Sequence, residues 1–228
     1  MLNVTSGDLG LPVMPSKAEL VYRNVRARIL SGELQPDQRL SMDALARELG
    51  VSKIPIREAI GRLESQHLVV LRQHAGPVVA AVDAEQLRGV YLARAAIEPV
   101  IARLAAASIT GEQLNELADT QDEMRERLVN GDAAGLSSLN YSFHLELAKA
   151  TTMGIFVEFT ETMLSSVRLH RNVEPLDMDN WSSIIDEHEA ILAAVRAGDA
   201  DTAAAAAERH ASAQAQHDTR SAMEQDPA

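Results

Sequence analysis

The stretch LSMDALARELGVSKIPIREAIGRLESQHL, residues 40–68, packs two helix starts and a helix stop into very little chain. Ser41 is a natural N-cap, Asp43 places an acid in the first turn, and Gly50 suits the left-handed residue that ends a helix. Ser52 caps the next helix, and Pro55 still falls inside its first turn, where a missing N–H is tolerated. Ile56, Ile60 and Leu63 then form the side that must be buried. Before these comes PSKAELVYRNVRARILSGEL, residues 15–34, with Val21, Val25 and Ile29 four apart and Gly32 as a stop. Helix, short helix, three-residue turn and helix make a helix-turn-helix. VVLRQHAGPVVAAV follows, two β-rich runs around Ala75-Gly76-Pro77 that read as a hairpin. Three helices and a hairpin wing predict a winged helix.

On the third of these helices Lys53 and Arg57 lie four apart, on an arc beside the buried stripe. That is what a recognition helix needs: an apolar back and N-terminal polar groups that enter a major groove. Long cationic side chains reach guanine O6/N7 or phosphate. The bland alternative is a solvated helix with two cations, and the wing and capped turn weigh against it. A net charge of −12 argues against nucleic acid until its distribution is read. Residues 16–80 hold ten Lys/Arg against seven Asp/Glu, a net +3, which leaves −15 for the remainder. A basic head on an acidic body fits a head that touches phosphate.

The rest of the chain reads as helix throughout, near 84–107, 111–130, 133–152, 155–171, 181–197 and 199–217. Asp83 with Gln86, and Thr110 with Gln113, have capping-box spacing. Aromatics at 3% and hydrophobics at 46% describe a core of Leu, Ile, Val and Ala, suited to packed helices. The absence of cysteine excludes disulfides, thiolate metal sites and Cys nucleophiles and suits a reducing cytoplasm. No apolar run approaches the roughly 20 residues of a membrane helix. Polar groups nevertheless interrupt the core-facing stripes of four helices: Arg94; Asn140 with His144; His188; and His210. A lone inward histidine is usually a hydrogen-bonded core residue. Three of them with an i,i+4 amide oxygen point instead to a shared divalent cation. Arg94 has a rival reading, a salt bridge to Glu98 one turn on. His188-Glu189 lacks the second His of H-E-x-x-H, and neither a phosphate loop nor a nucleophile elbow is present, so an enzyme is the weaker reading.

The residues GELQPDQRLSMDALARELGVSKIPIREAIGRLESQHLV resemble the winged-helix DNA-binding domain of the GntR family of bacterial regulators. The resemblance implies DNA contacts from Lys53, Arg57 and the wing around Gly76, with Ser52, Pro55 and Arg62 beside them. Three positions depart from the family pattern: Asp37 and His67 stand where Gly is usual, and Lys53 where Arg is usual. Lys cannot offer a bidentate guanidinium, so the preferred operator is expected to differ. The stretches RAAIEPVIARLAAA, NYSFHLELAKA, DEHEAILAAVRAGDADTA and ERH resemble the all-helical FCD effector domain of the FadR subfamily, in its six-helix, VanR-like variety. In that family an Asp-x-x-x-His pair, a Glu-His and a final-helix His hold a divalent metal. Those positions fall on Asn140, His144, His188 and His210, and Arg94 matches an arginine lining the same pocket.

The resemblance therefore implies a mostly α protein, a winged helix-turn-helix followed by an all-α bundle. Its parts are an N-terminal arm (1–16), a DNA-binding domain (17–80), a linker (81–86), an effector and dimerisation domain (87–217) and a tail (218–228). The function implied is a cytoplasmic homodimeric repressor binding an inverted repeat. A small organic acid bound at Arg94, Asn140, His144, His188 and His210 would control it, with Zn²⁺ or Ni²⁺ held weakly because Asn140 brings no charge. Two alternatives stay open: metal itself as the signal, or a metalloenzyme.

Overall fold

Local sequence signals account for most element boundaries in the computed structural model, which describes residues 14–225, with side chains as far as Asp218. The N-terminal arm expected at 1–16 lies outside the described residues up to residue 13. Helix α1 (Lys17–Leu30) starts at Ser16, whose hydroxyl accepts from the Glu19 N–H. Helix α2 (Met42–Glu48) starts at Ser41, which accepts from Ala44 N–H, and α3 (Lys53–Ser65) follows the turn at Gly50. Strands β1 (Val69–Arg72) and β2 (Gly76–Val79) pair antiparallel, Val69 opposite Val79 and Arg72 opposite Gly76. An isolated bridge from Arg39 to Val78 ties the α1–α2 connection to this wing. Val25, Ile29, Ile56, Leu63 and Leu68 fill the head's core.

Six helices follow: α4 (Ala84–Ser108), α5 (Gly111–Val129), α6 (Ala133–Ala150), α7 (Gly154–Val173), α8 (Met178–Arg196) and α9 (Ala200–Gln225). Both expected capping boxes form, at Asp83 and at Thr110. Helices α4 and α9 pack most extensively, and the alanines of α9 allow the close approach: Ala203, Ala206, Ala207 and Ala211 are all buried. No described helix is long and apolar enough to cross a membrane.

Three details differ from expectation. Helix α4 begins at Ala84, where its capping box placed it, so residues 80–83 connect it to the wing and the linker expected at 81–86 is shorter. Helix α9 continues to Gln225, and Asp218 is a buried member of it and not the first residue of a tail. Its carboxylate meets Tyr91 Oη and Arg171 Nε, and these cross-helix partners hold the last turns in place. Finally, Leu169 of α7 is buried in the head's own core. Arg168 and Asn172 donate to the Leu30 and Ile29 carbonyls at the end of α1, and Arg26 of α1 donates back to Tyr141 Oη and Ser165 Oγ. Head and body are joined through the last turn of α7.

Candidate DNA interface and histidine centre

The capped turn presents the first turn of α3 outward. Ser52, Lys53 and Arg57 are exposed, and the Ser52 hydroxyl makes no capping bond, so it is available to a phosphate. Lys53 pairs with Asp43 at 2.5 Å, an exposed contact that costs little to exchange for phosphate. Among the described residues Arg57 has no ion-pair partner. Pro55 is buried and shapes the helix start, which leaves it no surface for a base. Arg62 lies 3.8 Å over the Tyr22 ring and pairs with Glu19, so it braces α3 against α1. Gly76, at φ 77°, opens the second wing strand in a backbone conformation that side chains resist. Sequence reasoning missed Ile54, which is 67% exposed between Lys53 and Pro55. An exposed β-branched residue there suits a thymine methyl.

In the body, α6, α8 and α9 each bring one imidazole to the same point. His144, His188 and His210 are all buried, and one nitrogen from each lies within 4.8 Å of the others. His144 Nε2 and His210 Nε2 stand 3.2 Å apart. His210 Nδ1 lies 2.8 Å from Glu187 Oε2, so Nδ1–H donates to the carboxylate and Nε2 is the nitrogen turned toward the other imidazoles. His188 stacks on Phe143 with ring centroids 4.0 Å apart, and neither of its ring nitrogens has a hydrogen-bond partner. Burial, then the neighbouring histidines, Arg94 and Arg171, hold the His144 and His188 pKa values well below the usual 6.5. Both rings are therefore neutral at neutral pH, the form that ligates.

Asn140 is buried one turn before His144 on α6. Arg94 is buried but bonded to Glu98, 2.6 Å from Nε to Oε1, so its guanidinium is already engaged one turn along its own helix. The other oxygen of Glu98 lies 3.9 Å from His144 Nδ1. Glu98, His144 and Thr160 border a cavity of about 10 Å³ whose remaining walls are apolar, and Thr160 Oγ1 has no partner. Sequence reading found the histidines but not Glu187, because periodicity shows which face a residue takes and not what crosses from the next helix.

Family models match both halves of the chain: the FCD domain over residues 89–213, and the gntR family of bacterial regulatory proteins over residues 17–79. The chain belongs to the GntR family. This GntR protein is 26% identical over 181 residues to the HTH-type transcriptional regulator McbR of Escherichia coli, covering 78% of this chain and 82% of that one. It is 27% identical to the gluconate operon transcriptional repressor of Bacillus licheniformis, covering 78% and 74%. Among solved structures, E. coli McbR/YncC superposes with a TM-score of 0.81 at 23% identity, covering 91% and 99%. A GntR regulator from Rhodococcus sp. RHA1 superposes with a TM-score of 0.76 at 23% identity, covering 89% and 97%. A GntR protein of this architecture is a DNA-binding transcriptional regulator and not an enzyme.

Proposed function

We propose that this regulator is a repressor whose grip on DNA is set in its helical domain, by a divalent metal at His144, His188 and His210 and a small carboxylate effector beside it. The observation that carries the reading is His188: 0% exposed, with two unpartnered nitrogens, beside the two other buried imidazoles. Leaving such groups buried and unsatisfied costs about 1–3 kcal/mol each. A metal removes that penalty for the nitrogen that ligates it. Metal–nitrogen bonds of about 2.0–2.1 Å at a tetrahedral angle put two ligands roughly 3.3 Å apart, close to the 3.2 Å between His144 and His210. Asn140 is the weak fourth donor, an amide oxygen without charge. Bound metal supplies the positive charge that draws a carboxylate, because Arg94 is already occupied by Glu98. Repression rests on the printed role of the B. licheniformis relative.

One observation favours a second reading, in which metal alone is the signal. The cavity at His144 is about 10 Å³, room for roughly one water, so an organic effector needs the site to open and an ion does not.

Calorimetric titration of the purified protein with Zn²⁺ and Ni²⁺ tests the proposal. Reversible binding is expected for the wild type and none for His188→Ala, with DNA binding retained in that variant. If the wild type binds neither ion, the three histidines are buried core residues and the metal reading fails. A thermal-shift screen of carboxylates on metal-loaded protein separates the two readings, since a true effector stabilises by mass action.

A further inference from the structure

A chain of polar contacts leaves the histidines and crosses the core of the body. It begins at His210, whose Nδ1 lies 2.8 Å from Glu187 Oε2 on α8. The same carboxylate oxygen accepts from Gln214 Nε2 at 3.4 Å, one turn beyond His210 on α9. Gln214 Oε1 in turn accepts from Arg171 Nη2 at 2.7 Å, in the last turn of α7. Asp218 anchors Arg171 independently, 3.1 Å from its guanidinium. The neighbours of Arg171 in that turn are the residues that hold the head. Leu169 lies in the head's core, and Arg168 and Asn172 donate to the Leu30 and Ile29 carbonyls at the end of α1.

Gln214 stands between a carboxylate and a guanidinium, which sets the orientation of its amide. The NH₂ must face Glu187 and the oxygen must face Arg171, since the reverse would oppose acceptor to acceptor and donor to donor. Gln214 is 2% exposed, so water does not compete for either contact. The two ends of the chain already sense each other's charge. After burial, the histidine neighbours and Arg94, the Arg171 cation adds to the depression of the His144 and His188 pKa values. A metal on His210 would make its Nδ1–H a stronger donor and draw Glu187 toward it. The contact that feels this next is the one from Gln214, the longest in the chain. We infer that Gln214 couples occupancy of the histidine centre to the head–body joint, through Arg171 and the last turn of α7, an inference that rests on the metal reading above. The occupied centre holds the joint more tightly.

Hydrogen exchange reads the joint directly. The Gly32 N–H donates to the Ile29 carbonyl at 3.1 Å and the Leu34 N–H to the Arg28 carbonyl at 2.9 Å, so both amides report on the end of α1. Saturating Zn²⁺ should slow their exchange at least roughly fivefold in the wild type. Gln214→Leu removes both of its contacts but leaves Glu187 on His210 and Arg171 on Asp218. It should bind Zn²⁺ within roughly threefold of the wild type in calorimetry and lose the slowing. Gln214→Met, closer in length, serves if the leucine variant does not fold. A wild type that binds no Zn²⁺ removes the metal reading and this inference with it. Zn²⁺ binding without slowed exchange, slowing retained in the variant, or a variant that no longer binds Zn²⁺ would each overturn the coupling through Gln214 alone.

Discussion

Asn140 is the residue on which the histidine centre turns. Asn140→Asp adds a charged oxygen one turn before His144 and should tighten Zn²⁺ binding by roughly tenfold or more in calorimetry, while weakening any carboxylate bound beside it. Equal affinities would show that position 140 does not ligate. The neighbouring rings carry a pH dependence whose sign is fixed. His144 and His188 have depressed folded-state pKa values, so the unfolded chain takes up their protons first as pH falls below about 6.5. Stability of the metal-free protein is complete above that pH and declines below it, by about 1.4 kcal/mol per pH unit for each such histidine. Urea unfolding across this range should show the decline, and a shallower one in His188→Leu; a flat profile would contradict the burial. Two further residues repeat the family's glycine logic. Asp37 and His67, which stand at usual glycine positions, have φ of 63° and 57°. Their strain was legible in the sequence only through the resemblance, because no spacing rule marks a single left-handed residue. His67 is exposed, so His67→Gly should stabilise the head by up to about 1 kcal/mol in thermal unfolding.

At the scale of elements, helices were readable wherever caps and periodicity agreed. Ser41, Asp83 and Thr110 each cap the helix expected of them. The recognition helix follows the same rule, and Arg57→Ala should weaken specific DNA binding while leaving metal titration unchanged; unaltered affinity for the operator would mean that another surface reads the DNA. The end of α9 was not readable. An aspartate after an alanine-rich run looks like a helix end, and its partner Arg171 is 47 residues away in sequence. That pair is buried on both sides, so Asp218→Ala leaves an uncompensated cation and should cost about 3–5 kcal/mol in urea unfolding. A loss below 1 kcal/mol would mean that water reaches Arg171. The last turn of α7 was equally silent, because residues that face two neighbours in alternation show no single-period stripe.

For the whole molecule, charge was the informative coarse feature. The basic head and strongly acidic body predict DNA binding that falls steeply with salt, through the head's lysines and arginines alone. A dimer is expected, since one recognition helix reads only a few base pairs. Sedimentation that finds a monomer at micromolar concentration with full operator affinity would refute it. The burial of Leu169 among the head's core residues has a further consequence, for how such proteins can be recombined. Reading chains of this architecture as two exchangeable cassettes cuts through a shared packing layer. A head transplanted onto a foreign body keeps its base-reading surface but inherits an empty slot where Leu169 sat, and a bare Leu30 carbonyl where Arg168 closed α1. A working hybrid needs the donor's last turn of α7 carried across with the head, so the transferable unit is discontinuous in sequence.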